Sequence, residues 1–278
     1  MYFADKRMIK MIKILAVDMD GTCLGSDGKM APETLQALKT AADRGVLVVP
    51  TTGRNLNCLP KALKNQSFYR YIISSNGSLV VDTQDDKILF DACIDSLTAA
   101  EILKKTGRML IFKAAHIDRD FYTQGSILQY MVKRFFDDET ANIIRVSNLR
   151  KYILKKGKPI EEFQFFYKEG EGYRKKIKEI LASYPEITVA HSKGYAEIYN
   201  KKGSKGTALL ALGEALGITA EEIACIGDEE NDISMFDVAG LPLAMGNAID
   251  AVKQRAKAIL PTNDEKGVAA AIYDYILK

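Results

Sequence analysis

The chain has 278 residues, 47% of them hydrophobic and 27% charged, a globular composition long enough for about two domains. Such a balance excludes a disordered, collagen-like or disulfide-stapled chain. Lys+Arg number 39 against 36 Asp+Glu, and the net charge of +3 lacks the clustered excess of a nucleic-acid binder.

No apolar run approaches the roughly 18 residues of a membrane span. The opening MYFADKRMIKMIK is basic and lacks the apolar stretch of about 7–15 residues of a secretory signal, so the expected location is cytoplasmic. Residues 1–7 are expected as a disordered extension, with Met8 and Met11 as alternative starts. Cys23, Cys58, Cys93 and Cys225 form no C-x-x-C pair, so free thiols are expected.

Lys13–Val17 is an apolar run stopped by Asp18, which predicts a buried parallel strand. A helix is predicted over Pro32–Arg44, with proline at its start and Gly45 as its cap. Val46–Val49 is a second strand, ending in Thr51, Thr52, Gly53 and Arg54. A helix is expected next, then a strand over Tyr71–Ile73 that ends at Asn76 and Gly77. This is the alternation of a doubly wound, mainly parallel α/β sheet, Rossmann-like in outline.

The rhythm then changes. Leu79–Asp82 and Lys87–Phe90 predict a hairpin. Beyond it come helices over Leu97–Gly107, Ser126–Phe136 and Gly172–Ser183, and strands over Met109–Ala114, Glu162–Tyr167 and Ile187–Ala190. The basic stretch Arg145–Lys158 is expected to be a solvated face. The parallel rhythm resumes with a helix over Gly206–Leu216 and a strand over Ile223–Ile226 ending at Gly227 and Asp228. A helix starting at Ser234, a strand over Leu241–Ala244 and helices over Asp250–Ala256 and Gly267–Leu277 complete the chain. The expected organisation is a core of residues 1–86 and 194–278, with an α+β cap domain, 87–193, inserted into it.

In open parallel sheets ligands bind at the carboxyl ends of the strands. Here those ends carry Asp18 and Asp20, then Thr52, Gly53 and Arg54, then Asn76, then Asp228, Asn231 and Asp232. Acidic pairs crowded into one crevice repel each other and are best tolerated around a divalent cation. Oxygen ligands without a His or Cys cluster point to Mg2+ over Zn2+. One of two nearby aspartates can attack an electrophile while the other handles a proton. Thr52, the backbone at Gly53 and Lys205, just before a helix, supply the positive charge and donors that a phosphoryl group needs. Each motif alone has a plain structural reading, as a solvated D-x-D turn, a capped helix start or an Asx-rich turn. Their order and placement at strand ends favour the chemical one.

With these motifs the sequence resembles the haloacid dehalogenase superfamily of phosphatases, and within it the Cof-type branch. DMDGT at 18–22, TTGR at 51–54, Lys205-Gly206 and GDEENDISM at 227–235 look like its four motifs, with SSNGS at 74–78, AMGNA at 244–248 and TNDEKGVA at 262–269 in support. Pro50-Thr51 departs slightly from the alanine that often precedes the motif threonine, and Thr52 itself is in place. The resemblance covers essentially the whole core and puts the insert where this branch carries its cap.

The resemblance implies Asp18 as the nucleophile that forms an aspartyl-phosphate and Asp20 as acid and then base. It implies Thr52 and Lys205, with the N–H groups of Met19 and Gly53, as phosphoryl holders. Mg2+ would lie on Asp18, the carbonyl of Asp20 and Asp228. Asn231 would touch phosphate, Asp232 would position Lys205 or a metal-bound water, and Arg54 would contact substrate, with Asn76 in support.

The implied partner is a small-molecule phosphate ester, a sugar phosphate first and pyridoxal phosphate or flavin mononucleotide behind it. No nucleic acid or membrane is implied. A monomer is the default, with a homodimer left open. Two alternatives stay open: a phosphomutase or phosphotransferase on the same core, and a catalytically weak phosphosugar-binding regulatory protein. His116 and His191 are expected as surface or packing side chains, and the polar segment from His116 to Asp120 as a solvated turn. Phe163, Phe165, Phe166 and Tyr167 are expected to divide between the faces of a strand, and Tyr195 and Glu197 to pack at a hinge.

Overall fold

The computed structural model describes residues 11–64, 66–135, 143–168, 172–192 and 194–278. The expected extension over 1–7 lies outside them, as does Phe136 at the end of a predicted helix. In chain order the elements are β1 (Ile14–Asp18), α1 (Pro32–Asp43), β2 (Leu47–Thr51), β3 (Tyr71–Ser74), β4 (Leu79–Asp82), β5 (Lys87–Asp91) and α2 (Ser96–Lys105). There follow β6 (Phe112–Ile117), β7 (Asp120–Gln124), α3 (Ser126–Phe135), β8 (Ile143–Val146), α4 (Leu149–Lys156), β9 (Glu162–Phe166) and α5 (Tyr173–Leu181). The chain closes with β10 (Ile187–Ser192), β11 (Tyr195–Asn200), α6 (Lys205–Leu216), β12 (Ile223–Gly227), α7 (Ile233–Phe236), β13 (Leu241–Ala244), α8 (Asp250–Lys253), β14 (Ala258–Ile259) and α9 (Gly267–Ala271).

The fold is α/β, and the chain divides into two compact units. One holds the described residues up to Pro50, Phe68–Tyr71 and Leu210–Lys278; the other holds Thr51–Ser67 and Ile72–Leu209.

In the first unit the strand order is β14-β13-β12-β1-β2. The pairs β1–β12, β12–β13 and β13–β14 are parallel. All five residues of β1 and all five of β12 are buried. Continuous burial is why both strands read as unbroken apolar runs, without the alternation of a half-exposed strand. Helix α1 ends as predicted. Gly45 takes φ +85°, its N–H bonds the carbonyl of Ala42, and the N–H of Val46 bonds that of Ala41, the paired bonds of a Schellman close.

The second unit holds β3-β4-β5, with β4 and β5 antiparallel. It also holds a six-stranded sheet in the order β10-β11-β9-β6-β7-β8. That sheet is antiparallel except at β7–β8. Phe163, Phe165 and Tyr167 pack in one core cluster and Phe166 against another, so the aromatic run divides between two faces as expected. The lysines of Arg145–Lys158 are exposed, as expected of a solvated face, while Leu149 and Ile153 underneath are buried.

One expectation fails outright. No α-helix follows Arg54 among the described residues; the chain makes a single 3-10 turn over Leu56–Cys58. Leu59 precedes Pro60 and sits at φ −64°, ψ 147°, the extended conformation that a following proline imposes. The strand predicted over Met109–Ala114 also lies further along, at Phe112–Ile117. Its polar end, His116, is inside the sheet.

Candidate active site

In the first unit, β1 and β12 run parallel in register, with Val17 opposite Ile226. Their carboxyl ends therefore deliver Asp18 and Asp228 side by side. Ligand oxygens of Asp18, Asp228 and Asp232 all lie within 4.8 Å of one another, and all three residues are buried. Three buried carboxylates at this spacing repel strongly unless a cation sits among them.

The chain holds this arrangement by other means too. Thr22 Oγ1 donates to Asp228 Oδ1 at 2.6 Å. The main-chain N–H groups of Asp228 and Glu229 donate to Asp232 Oδ2 at 2.9 and 3.1 Å. Asn247 Nδ2 donates to the carbonyl of Gly21 at 2.8 Å. Gly21 has φ +81°, and a Cβ there would lie 2.3 Å from Asp228 Oδ2. Only glycine fits such a turn against the carboxylate.

The donors are hard oxygens. The nearby thiols of Cys23 and Cys225 are pushed well up, first by burial and then by the charges of Asp18 and Asp232 respectively. Both stay protonated, so neither offers a soft ligand. The donor set thus fits an oxygen-seeking divalent ion such as Mg2+.

Met19 is buried, and its carbonyl accepts from Leu24 N at 2.9 Å, closing the loop after β1. Asp20 is exposed, and its side chain is outside the three-carboxylate cluster. Asn231 is half-buried. Asp232, expected only as a support, is part of the cluster itself.

In the second unit, Thr51 pairs with Ile73, and Thr52 N donates to the Ile73 carbonyl at 2.9 Å. Thr52 Oγ1 accepts from Arg54 N at 3.1 Å, which leaves its own proton to offer to an anion. The carbonyls of Thr52 and Arg54 accept from Asn76 N and Ser75 N at 3.1 and 2.9 Å. This unit therefore brings Thr52, Gly53, Arg54 and Asn76 together.

Lys205 is the first residue of α6 and only 1% exposed. Ser204 Oγ accepts the N–H of Thr207 at 3.1 Å, a side-chain cap on that helix. Gly77, at φ +93°, lies so close that a Cβ would be 2.6 Å from Lys205 N.

Sequence reasoning missed what lies beneath Asn76. Glu161, Glu162 and His116 are at most 1% exposed. His116, expected as a lone surface or packing residue, has Nδ1 2.9 Å from Ser75 Oγ. Only Asp118 and Arg119, with φ of 55° and 71°, form the turn expected over the whole segment. The one signal available in sequence was the SSNG stretch, whose Ser75 and Asn76 take φ of 48° and 55°, rare for residues with a side chain.

A family model for haloacid dehalogenase-like hydrolases matches residues 15–272. The chain belongs to the haloacid dehalogenase-like hydrolase family. It is an enzyme, a phosphatase of that superfamily. Among its relatives is a 5-amino-6-(5-phospho-D-ribitylamino)uracil phosphatase of Bacillus subtilis, 29% identical, with 96% of each chain covered. Another is a pyridoxal phosphate phosphatase of Escherichia coli, 23% identical, covering 95% of this chain and 99% of the relative. A solved haloacid dehalogenase-like hydrolase from B. subtilis superposes with a TM-score of 0.84 at 26% identity, covering 95% of this chain and 100% of that one. A solved sugar phosphatase of subclass IIB superposes with a TM-score of 0.80 at 22% identity, a likeness of fold. Among the described residues no helix is long and apolar enough to cross a membrane.

Proposed function

We propose that this phosphatase hydrolyses a small phosphorylated metabolite, a sugar phosphate first, through a covalent phosphoenzyme on Asp18 and with Mg2+ as its cofactor. The observation that carries the reading is the buried cluster of Asp18, Asp228 and Asp232. Asp18, the main-chain carbonyl of Asp20 and Asp228 would hold the ion, with Asp232 beside them. When bound, the ion offsets the negative charge of carboxylate and phosphate, so that one anion can approach another.

Asp18 attacks phosphorus and the bond from phosphorus to the ester oxygen breaks. Asp20 gives its proton to that oxygen, and the alcohol leaves. Asp20 then takes a proton from water, whose oxygen attacks the same phosphorus; the bond to Asp18 breaks and phosphate is released. The exposed position of Asp20 suits a group that must meet both alcohol and water. Thr52 and Lys205, with the N–H groups of Met19 and Gly53, hold the phosphoryl oxygens, where charge spreads in the transition state. Asn231 adds a contact to phosphate, and Arg54 meets the rest of the substrate. Residues 87–193 act as a cap on a core of 1–86 and 194–278, and the protein works in the cytoplasm as a monomer.

Sugar phosphates lead the list of substrates, and the names of the relatives add phosphoribityl and pyridoxal phosphate esters. The test is a panel of such esters, assayed with Mg2+ for free phosphate and for phosphate transferred to a second hydroxyl. Release of free phosphate from one ester well above the rest supports the reading. Transfer without release, or no turnover of any ester by folded protein, overturns it.

A further inference from the structure

The geometry points to Glu162 and Glu197 as positioning residues for the phosphoryl-binding loop, which they hold through the amide of Asn76. This rests on the function proposed above, because it assigns Thr52, Gly53 and Lys205 to the phosphoryl group. Asn76 Nδ2 has two hydrogens. One goes to Glu162 Oε2 at 2.9 Å and the other to Glu197 Oε2 at 3.2 Å. The two glutamates come from neighbouring antiparallel strands, β9 and β11.

Asn76 passes this constraint on in two directions. Its N–H binds the carbonyl of Thr52 at 3.1 Å, and its Oδ1 lies 3.0 Å from where a Cβ on Gly53 would be. The next residue, Gly77, lies directly on the peptide between Ser204 and Lys205, with a built Cβ 2.3 Å from Ser204 C. One amide thus fixes the turn at Gly53 and the lysine end of α6 against the same pair of carboxyl groups.

The arrangement works only if the pair does not carry two charges. Burial, and then the charge of Glu197, pushes Glu162 well above the carboxylate range. Burial raises Glu197 as well, but Lys205 and the Asn76 amide pull it back, so Glu162 is the member that keeps the proton. The other groups around Glu162 are consistent with this. Gln164 Nε2 donates to its Oε1 at 2.9 Å. His116 Nδ1 lies 3.5 Å from the same oxygen and stays neutral, its pKa pulled down by burial to about 3. Glu161, the adjacent acid, takes Ser75 Oγ at 2.5 Å and Arg119 N at 2.6 Å; Asp118 adds a charge beside it. Loss of the Glu162 proton would set two anions against one amide and loosen the loop.

The experiment compares wild type with Glu162→Gln and Glu162→Leu, each confirmed folded by circular dichroism. Hydrogen exchange is followed at the amides of 52–54, 75–78 and 204–207, and kcat and KM are measured across pH. Glutamine mimics the neutral acid. It should leave exchange and kcat near wild type and remove the fall in kcat expected of wild type as rising pH ionises Glu162. Leucine should speed exchange at all three segments and lower kcat about tenfold to a hundredfold, the scale of a slight misplacement of a reacting group. The proposal is overturned if leucine leaves exchange unchanged, if glutamine lowers kcat as far as leucine does, or if its alkaline limb matches wild type. Should wild type turn over no ester, the functional reading fails, and hydrogen exchange alone decides whether the pair positions the loop.

Discussion

His116 offers a direct measure of how far this protein excludes charge from the site beneath Asn76. Its ring is 1% exposed, in tilted contact with Phe121 at a centroid distance of 5.1 Å. Ser75 gives its one proton to Glu161, so Nδ1 of His116 must be the donor to Ser75 Oγ. Nδ1 therefore carries a proton, and burial keeps the ring neutral. Its approach to Glu162 at 3.5 Å is not an ion pair, because the ring is uncharged.

Burial pulls the pKa from 6.5 to about 3. A histidine depressed on folding gives stability that is present above the unfolded value and is lost as pH falls through 6.5 towards 3. Integrated over that window, the loss is about 2 kcal/mol at pH 5 and about 4 kcal/mol at pH 3. His116→Asn removes the titration and keeps a polar atom near the Nδ1 position. Urea unfolding of both proteins at several values between pH 7 and pH 4 measures the difference. The stability of wild type relative to the variant should fall by about 3 kcal/mol over that interval. A difference that stays constant with pH would refute the claim that His116 is held neutral.

Two further predictions concern the proposed cation among the three carboxylates and the loop on α6. Mg2+ at about a hundred times its dissociation constant should stabilise the folded protein by about 2.7 kcal/mol, read as a rise in Tm that a chelator reverses and that Asp228→Asn removes. No change in Tm with Mg2+ or Mn2+ would count against a cation among the three carboxylates. Gly77→Ala should destabilise by about 3 kcal/mol, combining a left-handed φ with overlap on the Ser204 peptide. A urea midpoint within error of wild type would show that the loop moves away freely.

The parallel strands were legible because burial on both faces makes them unbroken apolar runs, and because each stops at a residue that must face the opposite way. Asp18 after Val17 and Asp228 after Gly227 are such stops, and both belong to the carboxylate cluster. The region after Arg54 misled because its spacing of apolar residues suits a helix, and a single proline outweighs that spacing. Helix α4 was unreadable for another reason. It buries Leu149 and Ile153 alone, among exposed lysines, so its periodicity is only one step long. Strand β11 is hard to read because Glu197 interrupts its apolar pattern, and the two residues expected at a hinge, Tyr195 and Glu197, lie within it. Buried acids are the hardest case. Glu161 and Glu162 follow Lys158 and Pro159 and look like any solvated pair, and only the sheet register that sets Glu162 opposite His116 shows them to be interior. Asp232 was placed near the site from its motif, yet its share in the carboxylate cluster needed the bend that aims its side chain back at Asp228 N.

The most direct test of the account is the initial rate of phosphate release from the best ester of the panel, for wild type and Asp18→Asn, each with Mg2+ and with chelator. The account predicts release by wild type with Mg2+, a fall to background on chelation, and background release by folded Asp18→Asn under both conditions. Turnover by Asp18→Asn at the wild-type rate, or a wild-type rate indifferent to chelation, would contradict it.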